Sequence, residues 1–413
     1  MSSLLKTTWD FFKRHRNKAL LGTATAAGVY ALNRYLHSVA DEWQQSSSRD
    51  FVSEVKKKEI HFENTIDTCN QTSMSLSVKI VDILDQTLDA EPILEQIKLA
   101  AAGAATSDHH NSSNSNGSNN KIELWNRLKI QIFTRVIAEV YCVTLFVTYL
   151  RVQLSVLAGY IYMDSSSGQL NTGSGSANAT NLMQQMQTTS SNVQNKYLSL
   201  LHTFYSTGIQ QIIEPIMAAV EDSLKDISLK DQIVMNDLKI VFDKVKSSMA
   251  FTLNGCQSNA SRFLINPNKL FISSETNGLN NGLTGDKDGQ LLQRMINETQ
   301  DILESDDFKR VVDSGIDLGF AVLMDVILGC FVRFSDEKTG QTVSSSSLSS
   351  SDNGFANPHS IRMPLVKLLP KVWLSLRDRR RPEEKLVLVR HLICLDVLNC
   401  FAANIYEAFC QTN

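Results

Sequence analysis

Residues 136–150 read VIAEVYCVTLFVTYL, and this stretch decides the fold. It is apolar on nearly every side of a helix, yet it lies between Arg135 and Arg151 and contains Glu139. A membrane span usually needs about 20 apolar residues, so these fifteen are short for one. A helix that is apolar all round and too short to cross a bilayer is typical of the centre of a bundle. The stretch therefore favours a central bundle helix, with a second membrane span as the alternative.

Helical patterns continue on both sides of this stretch. The central helix is predicted over 121–162, because this range contains no proline and no glycine before Gly159. A helix is predicted over 197–225, with an interruption near Pro215. Another is predicted over 228–249, where Ser228 and Asp231 resemble a capping box at its start. Four more are predicted over 291–304, 306–333, 365–377 and 382–409. No segment alternates with a period of two. The sequence thus predicts an all-α fold, an elongated helical bundle around a long central helix.

Composition and charge exclude several classes of protein. Hydrophobic residues make up 43% of the 413 residues, and 40 basic residues face 43 acidic ones, for a net charge of −3. Such a balance argues against a nucleic-acid binder, which usually carries a strongly basic face. Three tracts rich in Ser, Asn and Gly are predicted to be flexible insertions in a domain spanning 45–413: residues 106–120, 164–192 and 340–357.

The amino end differs from the rest. Residues 1–18 are basic, and residues 19–32 carry no charge. We interpret 19–36 as a single membrane anchor that contacts lipid. A cleaved secretory signal and a mitochondrial presequence are the alternatives. The positive-inside rule on its own would place residues 1–18 in the cytosol.

Catalytic motifs are missing from the sequence. GxGxxG, GxxxxGK[ST], GxSxG and HExxH do not occur, and the eight histidines are scattered. We therefore predict that the protein is not an enzyme and needs no cofactor and no metal.

Features suited to binding a protein are better represented. Trp125, Leu128 and Ile132 follow one another at i, i+3 and i+7, with Lys121 one turn before the tryptophan. The simpler interpretation is an amphipathic start to the central helix, with Trp125 in the core. The other is a tryptophan-lined groove for a partner helix, in which aromatic side chains often dominate the binding energy.

Seven stretches in order resemble the peroxin-3 family of peroxisomal biogenesis factors. They are FFKRHRNKALLGTATAAGVYALNRY (11–35), HFENTIDTCNQT (61–72), NKIELWNRLKIQIFTR (120–135), LRVQLSVLAGYIYMD (150–164), NETQDILESDDF (297–308), MPLVKLLP (363–370) and FAANIYEAF (401–409). The resemblance covers nearly the whole chain apart from the polar insertions.

This resemblance implies a docking receptor for peroxin-19, the soluble carrier of new peroxisomal membrane proteins. The receptor would be a single-pass peroxisomal membrane protein whose large carboxy-terminal domain lies in the cytosol and whose residues 1–18 lie in the matrix, against the positive-inside rule. An amphipathic helix of peroxin-19 would bind an apolar groove. The residues that the resemblance assigns to this groove are Trp125, Leu128, Lys121, Ile97, Leu94 and Lys367.

Two other functions stay open at this point. One is a membrane-anchored adaptor for peroxisome inheritance or selective autophagy that uses another surface. The other is a hydrolase or lipid-modifying enzyme, which would need a polar cavity with clustered acidic, histidine or cysteine side chains.

Overall fold

The chain is almost entirely helical wherever its structure is described, which confirms the all-α prediction. A computed structural model describes residues 54–105, 115–169, 189–254, 260–265, 285–339, 360–377 and 385–410. The first elements are α1 (Glu54–Thr87), α2 (Glu91–Ala105), α3 (Ser115–Gln169), α4 (Ser191–Ser199), α5 (Leu201–Thr203), a π-helical turn (Phe204–Gly208) and α6 (Ile209–Leu224). The later elements are β1 (Gln232–Ile233), α7 (Met235–Asn254), α8 (Ser261–Leu264), α9 (Gly285–Glu304), α10 (Asp306–Thr339), β2 (Met363–Pro364), α11 (Leu365–Arg377), α12 (Val387–Ile393) and α13 (Asp396–Phe409).

Helix α3 is the centre of the bundle, as its sequence predicts. It packs against α1, α2, α6 and α9 to α13. Two described helices are long and apolar enough to cross a membrane by length and composition, Asn120–Ser165 and Asp306–Ser335, and the pair α12 and α13, bent by 53°, would add a third. In the most apolar window of α3, however, 89% of the residues are buried within the bundle, against 44% in α10. Burial among other helices therefore accounts for the apolar character of α3.

The register of the neighbouring helices defines two ends of the bundle. Asp85 contacts Arg135, and Asn70 contacts Arg151, so α1 runs antiparallel to α3. The beginning of α1 therefore lies beside the end of α3, where the His61 and Tyr162 rings are 5.7 Å apart. Trp125 is at the opposite end of α3. At about 1.5 Å per residue, the two ends are about 55 Å apart.

A small aromatic cluster closes the end at which α1 begins. The Nδ1 atom of His61 lies 2.8 Å from the Tyr406 hydroxyl, and the two rings stack with centroids 5.7 Å apart. Phe62 and Tyr162 pack against Tyr406 from α1 and α3. The salt bridge between Lys58 and Glu407, 2.7 Å long, adds a second link. The carboxy-terminal helix α13 is thereby fixed to the first turns of α1.

Burial of His61 makes the stability of this end depend on pH. Desolvation lowers the pKa of His61 to about 4, so the folded protein holds a neutral ring. The unfolded chain binds a proton below pH 6.5, and the contribution of His61 to stability is therefore lost as the pH falls from 6.5 to 4. At about 1.4 kcal/mol per pKa unit, the loss reaches about 3 kcal/mol.

Urea unfolding between pH 7.5 and 4 would measure this loss. We expect His61→Gln to lose less stability on acidification than the wild-type chain. The exposed His202 offers the matched control, His202→Gln, which should follow the wild type throughout. Parallel curves for His61→Gln and the wild type would show that the ring does not titrate in this way.

Three predicted helix features are wrong. The helix predicted over 382–409 is two helices, α12 and α13, with a bend of 53° between them. Proline does not interrupt α6, which continues through Pro215. Because proline has no N–H, the carbonyl of Gln211, four residues earlier, loses its helical hydrogen bond. Gln211 is exposed, so water can replace that bond. The irregular turn instead lies at Phe204–Gly208. The helix predicted from residue 228 begins at Met235, because Ile233 pairs with Met363 in the short sheet.

Several other predictions concern segment boundaries. Asp231 Oδ2 accepts from the Ser228 N–H, 2.8 Å away, so the predicted capping contact forms in a turn rather than at a helix start. Helix α3 extends into two of the predicted insertions, over 115–120 and 164–169, since a helix that is already formed can add polar turns without burial. Residues 189–192 at the end of the second tract are ordered, since Thr189 donates to Asp164 and α4 begins at Ser191. Residues 106–114 and 170–188, the tract 340–357 and the predicted anchor 19–36 lie outside the described residues.

Candidate partner-binding groove

The predicted groove would lie where α2 packs on α3. Gln131 Nε2 donates to the Asp89 carbonyl, 3.4 Å away, just before α2 begins. Ile97 is 6% exposed and therefore belongs to the core, whereas Leu94 is half-buried. Helix α2 thus covers one side of α3 and leaves part of its own apolar face accessible.

Trp125 lies at the boundary between the core and solvent. Leu128 is 0% exposed, and Ile132 is 1% exposed. Trp125 itself is half-buried against the core, and Ile122, one turn earlier, is 52% exposed. Lys121 is half-buried one turn before the tryptophan. The indole therefore packs on the core with one part of its surface and offers the rest to a partner.

Lys367 reaches the same end of the bundle through α10 and α11. A Cβ on Gly315 or Gly319 would approach Thr144 or Val140 respectively, so α10 packs closely and antiparallel on α3. Gly319 lies beside Val140, and the two helices run in opposite directions. Fifteen residues after Gly319 and fifteen before Val140, Phe334 is therefore expected at the level of Trp125. The Lys367 Nζ lies over the Phe334 ring, 5.7 Å from its centroid. The spacing in the sequence alone does not reveal this proximity.

An ionic contact fixes α2 to α11. The Glu91 carboxylate accepts from the Trp373 indole N–H at 3.3 Å and from the Arg377 guanidinium at 2.7 Å. These two donors hold the pKa of Glu91 below its usual value, since both stabilise the charged form. The first residue of α2 is therefore tied to the helix that carries Lys367.

Lys129 is a residue whose role the sequence does not reveal. Lysine is usually exposed, but the side chain of Lys129 is only 5% exposed. Its Nζ donates to the carbonyls of Leu224 and Ile227, at 3.0 and 2.9 Å, and burial lowers its pKa. The carbonyls at a helix end attract a cation, so Lys129 fixes the end of α6 to α3. Its i+4 position after Trp125, between two apolar residues, is the only signal in the sequence.

The segment after α6 in turn contacts α11. Val366 N–H donates to the Leu229 carbonyl at 3.0 Å, and Leu365 N–H donates to the Asp231 carbonyl at 3.1 Å. Lys129 therefore connects α3, through this segment, to the first turn of α11 and to Lys367. Four parts of the chain that are far apart in sequence thus meet at the Trp125 end of the bundle.

Of the six residues predicted for the groove, two lie beneath the surface. Leu128 and Ile97 are buried and support the floor, while Trp125, Lys121, Leu94 and Lys367 retain accessible surface at this end. An apolar floor with lysines nearby is suited to the apolar face of an acidic amphipathic helix. Within the part of the chain that the structure describes, no group of three or more His, Cys, Asp or Glu side chains could hold a metal ion.

The fold defines an all-α helical-bundle protein with a partly accessible apolar surface around Trp125. The sequence model of the peroxin-3 family matches residues 100–407, and the chain belongs to that family. It is 29% identical to peroxisomal biogenesis factor 3 of Bos taurus and 28% identical to that of Homo sapiens, over 98% of both chains in each case. Peroxisome biogenesis protein 3-1 of Arabidopsis thaliana is 22% identical, over 94% of this chain and 95% of the relative.

Membership of this family sets the broad function. The family is not enzymatic, in agreement with the sequence prediction. It supports a role in peroxisome biogenesis and points to the peroxisomal membrane.

Proposed function

We propose that the protein is the docking receptor for cargo-loaded peroxin-19 at the peroxisomal membrane. The observation that carries the proposal is the half-burial of Trp125 against the core, one turn after the exposed Ile122 and one turn before the buried Leu128. An amphipathic helix of peroxin-19 would cover this apolar surface. A tryptophan in such a groove buries about 150–250 Å², which makes it the main contributor to the affinity. Lys121 and Lys367 would attract acidic residues of the helix and raise the association rate.

The proposed topology places residues 1–18 in the matrix, residues 19–36 in the membrane and residues 45–413 in the cytosol. The position of α1 supports it: the helix begins at the end of the bundle opposite Trp125, about 55 Å away along α3. An anchor that precedes α1 would thus leave the groove facing the cytosol. A tag on Met1 should resist protease on intact peroxisomes. Digestion of the tag without detergent would overturn this topology.

Substitution of Trp125 by alanine should weaken peroxin-19 binding at least about tenfold, which corresponds to about 1.4 kcal/mol or more. The substitution removes the indole from the groove but leaves Leu128 and the core in place. Isothermal titration of the full chain in lipid nanodiscs with the amino-terminal helix of peroxin-19 measures the change, and circular dichroism checks the fold.

Ile60→Ala is the matched control for this titration. Ile60 is also apolar and is 38% exposed, but it lies on α1 at the end of the bundle opposite Trp125, so its loss should leave the affinity unchanged. If Trp125→Ala leaves tight binding unchanged, the docking site lies elsewhere on the protein. Absence of binding by the folded protein would reject the docking function.

A further inference from the structure

Lys129 follows Trp125 by one turn on the same face of α3, but the two side chains differ in burial. Trp125 is half-buried, whereas Lys129 is 5% exposed, so a partner has almost no access to it. The Lys129 ammonium group donates to the carbonyls of Leu224 and Ile227, at 3.0 and 2.9 Å. Burial lowers the pKa of Lys129, and the nearby Asp231 carboxylate counteracts part of this shift. Any contribution of Lys129 to docking is therefore indirect.

The segment between α6 and β1, which Lys129 binds at its beginning, is attached to the first turn of α11. The Leu229 carbonyl accepts from the Val366 N–H at 3.0 Å, and the Asp231 carbonyl accepts from the Leu365 N–H at 3.1 Å. The segment ends in β1, which pairs with β2 directly before α11. Backbone hydrogen bonds of this length tolerate little displacement, so a shift of the segment moves the start of α11 with it.

Lys367 is the next residue after Val366 and lies in this same first turn. Its side chain is exposed, and its Nζ lies over the Phe334 ring, 5.7 Å from the centroid. A cation–π contact at the surface is weak, so the backbone of the first turn determines where this lysine stands. The other end of α11 is held separately, by the contact of Glu91 on α2. Only the beginning of α11 thus depends on the segment after α6.

We infer that Lys129 is a positioning residue for docking, which holds Lys367 at the groove through the segment between α6 and β1. The inference rests on the proposed docking function and adds to it a residue that does not touch the partner. Without the ammonium group, the Leu224 and Ile227 carbonyls lose their common donor, and the segment is no longer tied to α3. The start of α11 then shifts, and Lys367 attracts an acidic partner helix less effectively.

Association rates at two salt concentrations test this inference. The full chain in nanodiscs is mixed with the amino-terminal helix of peroxin-19 in about 20 mM and in about 1 M salt, because 1 M salt screens charges beyond about 3 Å. We expect Lys129→Met and Lys367→Ala each to slow association about threefold in low salt and to match the wild type in high salt. The double variant should be no slower than Lys367→Ala, because both changes remove the same contribution.

Lys225→Met is the matched control, because it removes the same charge beside the same segment. Lys225 follows Leu224 directly, but its ammonium group donates to Asp222 at the surface, where the two side chains are 61% and 77% exposed. Its loss should leave the association rate unchanged in both salt concentrations. Lys129→Gln keeps one donor and should give a smaller loss than Lys129→Met. It serves as the test variant if Lys129→Met does not fold.

Hydrogen exchange of the same chains gives a readout that does not need the partner. In Lys129→Met the amides of residues 363–367 should exchange faster than in the wild type and in Lys225→Met. The amides of residues 371–377, close to the Glu91 contact, should keep their rates. Unchanged exchange at 363–367 would contradict the inference.

The kinetic outcomes separate this inference from the docking function. Equal association rates of the wild-type chain and Lys129→Met in low salt would overturn the positioning role and leave docking intact. A loss that persists in 1 M salt, or that adds to the loss caused by Lys367→Ala, would also overturn it, since Lys129 would then not act through Lys367. Absence of binding by the folded wild-type chain would reject the docking function and this inference with it.

Discussion

Arg135→Ala lowers the free energy of unfolding by about 3–5 kcal/mol, because it removes a buried guanidinium that neutralises two carboxylates, one of them buried. The guanidinium is 1% exposed and contacts Asp85 at 2.6 Å and Glu139 at 2.8 Å. The Asp85 side chain is 41% exposed and can be hydrated once the arginine is gone, but that of Glu139 is only 9% exposed. Loss of the guanidinium beside the buried Glu139 therefore causes most of the destabilisation. The contact between α1 and α3 near the groove weakens with it.

Chemical denaturation of the purified chain measures this effect, with Arg310→Ala as the matched control. Arg310 also pairs with an aspartate, Asp307 at 2.7 Å, but the two side chains are 76% and 66% exposed. A surface pair of this kind contributes about 0–1 kcal/mol. The double change Arg135→Met with Glu139→Leu should recover much of the loss, because it removes both charges and keeps the volume. Similar losses for Arg135→Ala and Arg310→Ala would show that burial does not matter here.

The central helix could be predicted because its signal is local. Residues 136–150 are apolar on every face, and burial within the bundle is the one environment that a helix of this length can use without a membrane. The two arginines at the ends of this stretch were harder to interpret. Arg135 and Arg151 are both buried in the structure, since α1 supplies Asp85 and Asn70 at positions fifty and eighty-one residues away. Contacts between residues so far apart in the sequence cannot be predicted from the local spacing around either residue.

The groove was predictable only in part, for the same reason. The stripe of Trp125 and Leu128 is visible in the sequence. Its spacing alone favoured a core position for Trp125, and only the family resemblance favoured a groove, whereas the indole is half-buried in the structure. The burial of Lys129 could not be predicted, because the carbonyls that bind it belong to Leu224 and Ile227, almost one hundred residues away in the sequence. The position of Lys367 depends on how α10 packs on α3, and the close approach at Gly319 becomes visible only in the structure.

The π-helical turn before α6 is the second feature for which a large effect is expected. A Cβ on Gly208 would lie under 3.0 Å from the backbone carbonyl oxygen of Phe263 and would also crowd the Phe204 ring. Phe263 is fixed by its own burial, at 1% exposure, so the clash cannot be relieved by rotating a flexible side chain. Close approach of two backbones thus requires glycine at this position.

Gly208→Ala should therefore lower the free energy of unfolding by about 3 kcal/mol, although alanine is the better helix former by about 1 kcal/mol. Gly289→Ala provides the matched control within α9, because a Cβ at Gly289 meets nothing within 4 Å. That variant should gain up to about 1 kcal/mol from helix propensity alone. Urea titration of both variants measures the difference of about 4 kcal/mol between the two sites. A gain for both alanines would mean that α8 moves away from the turn at little cost, and the close packing of Phe263 on Gly208 would then not stabilise the bundle.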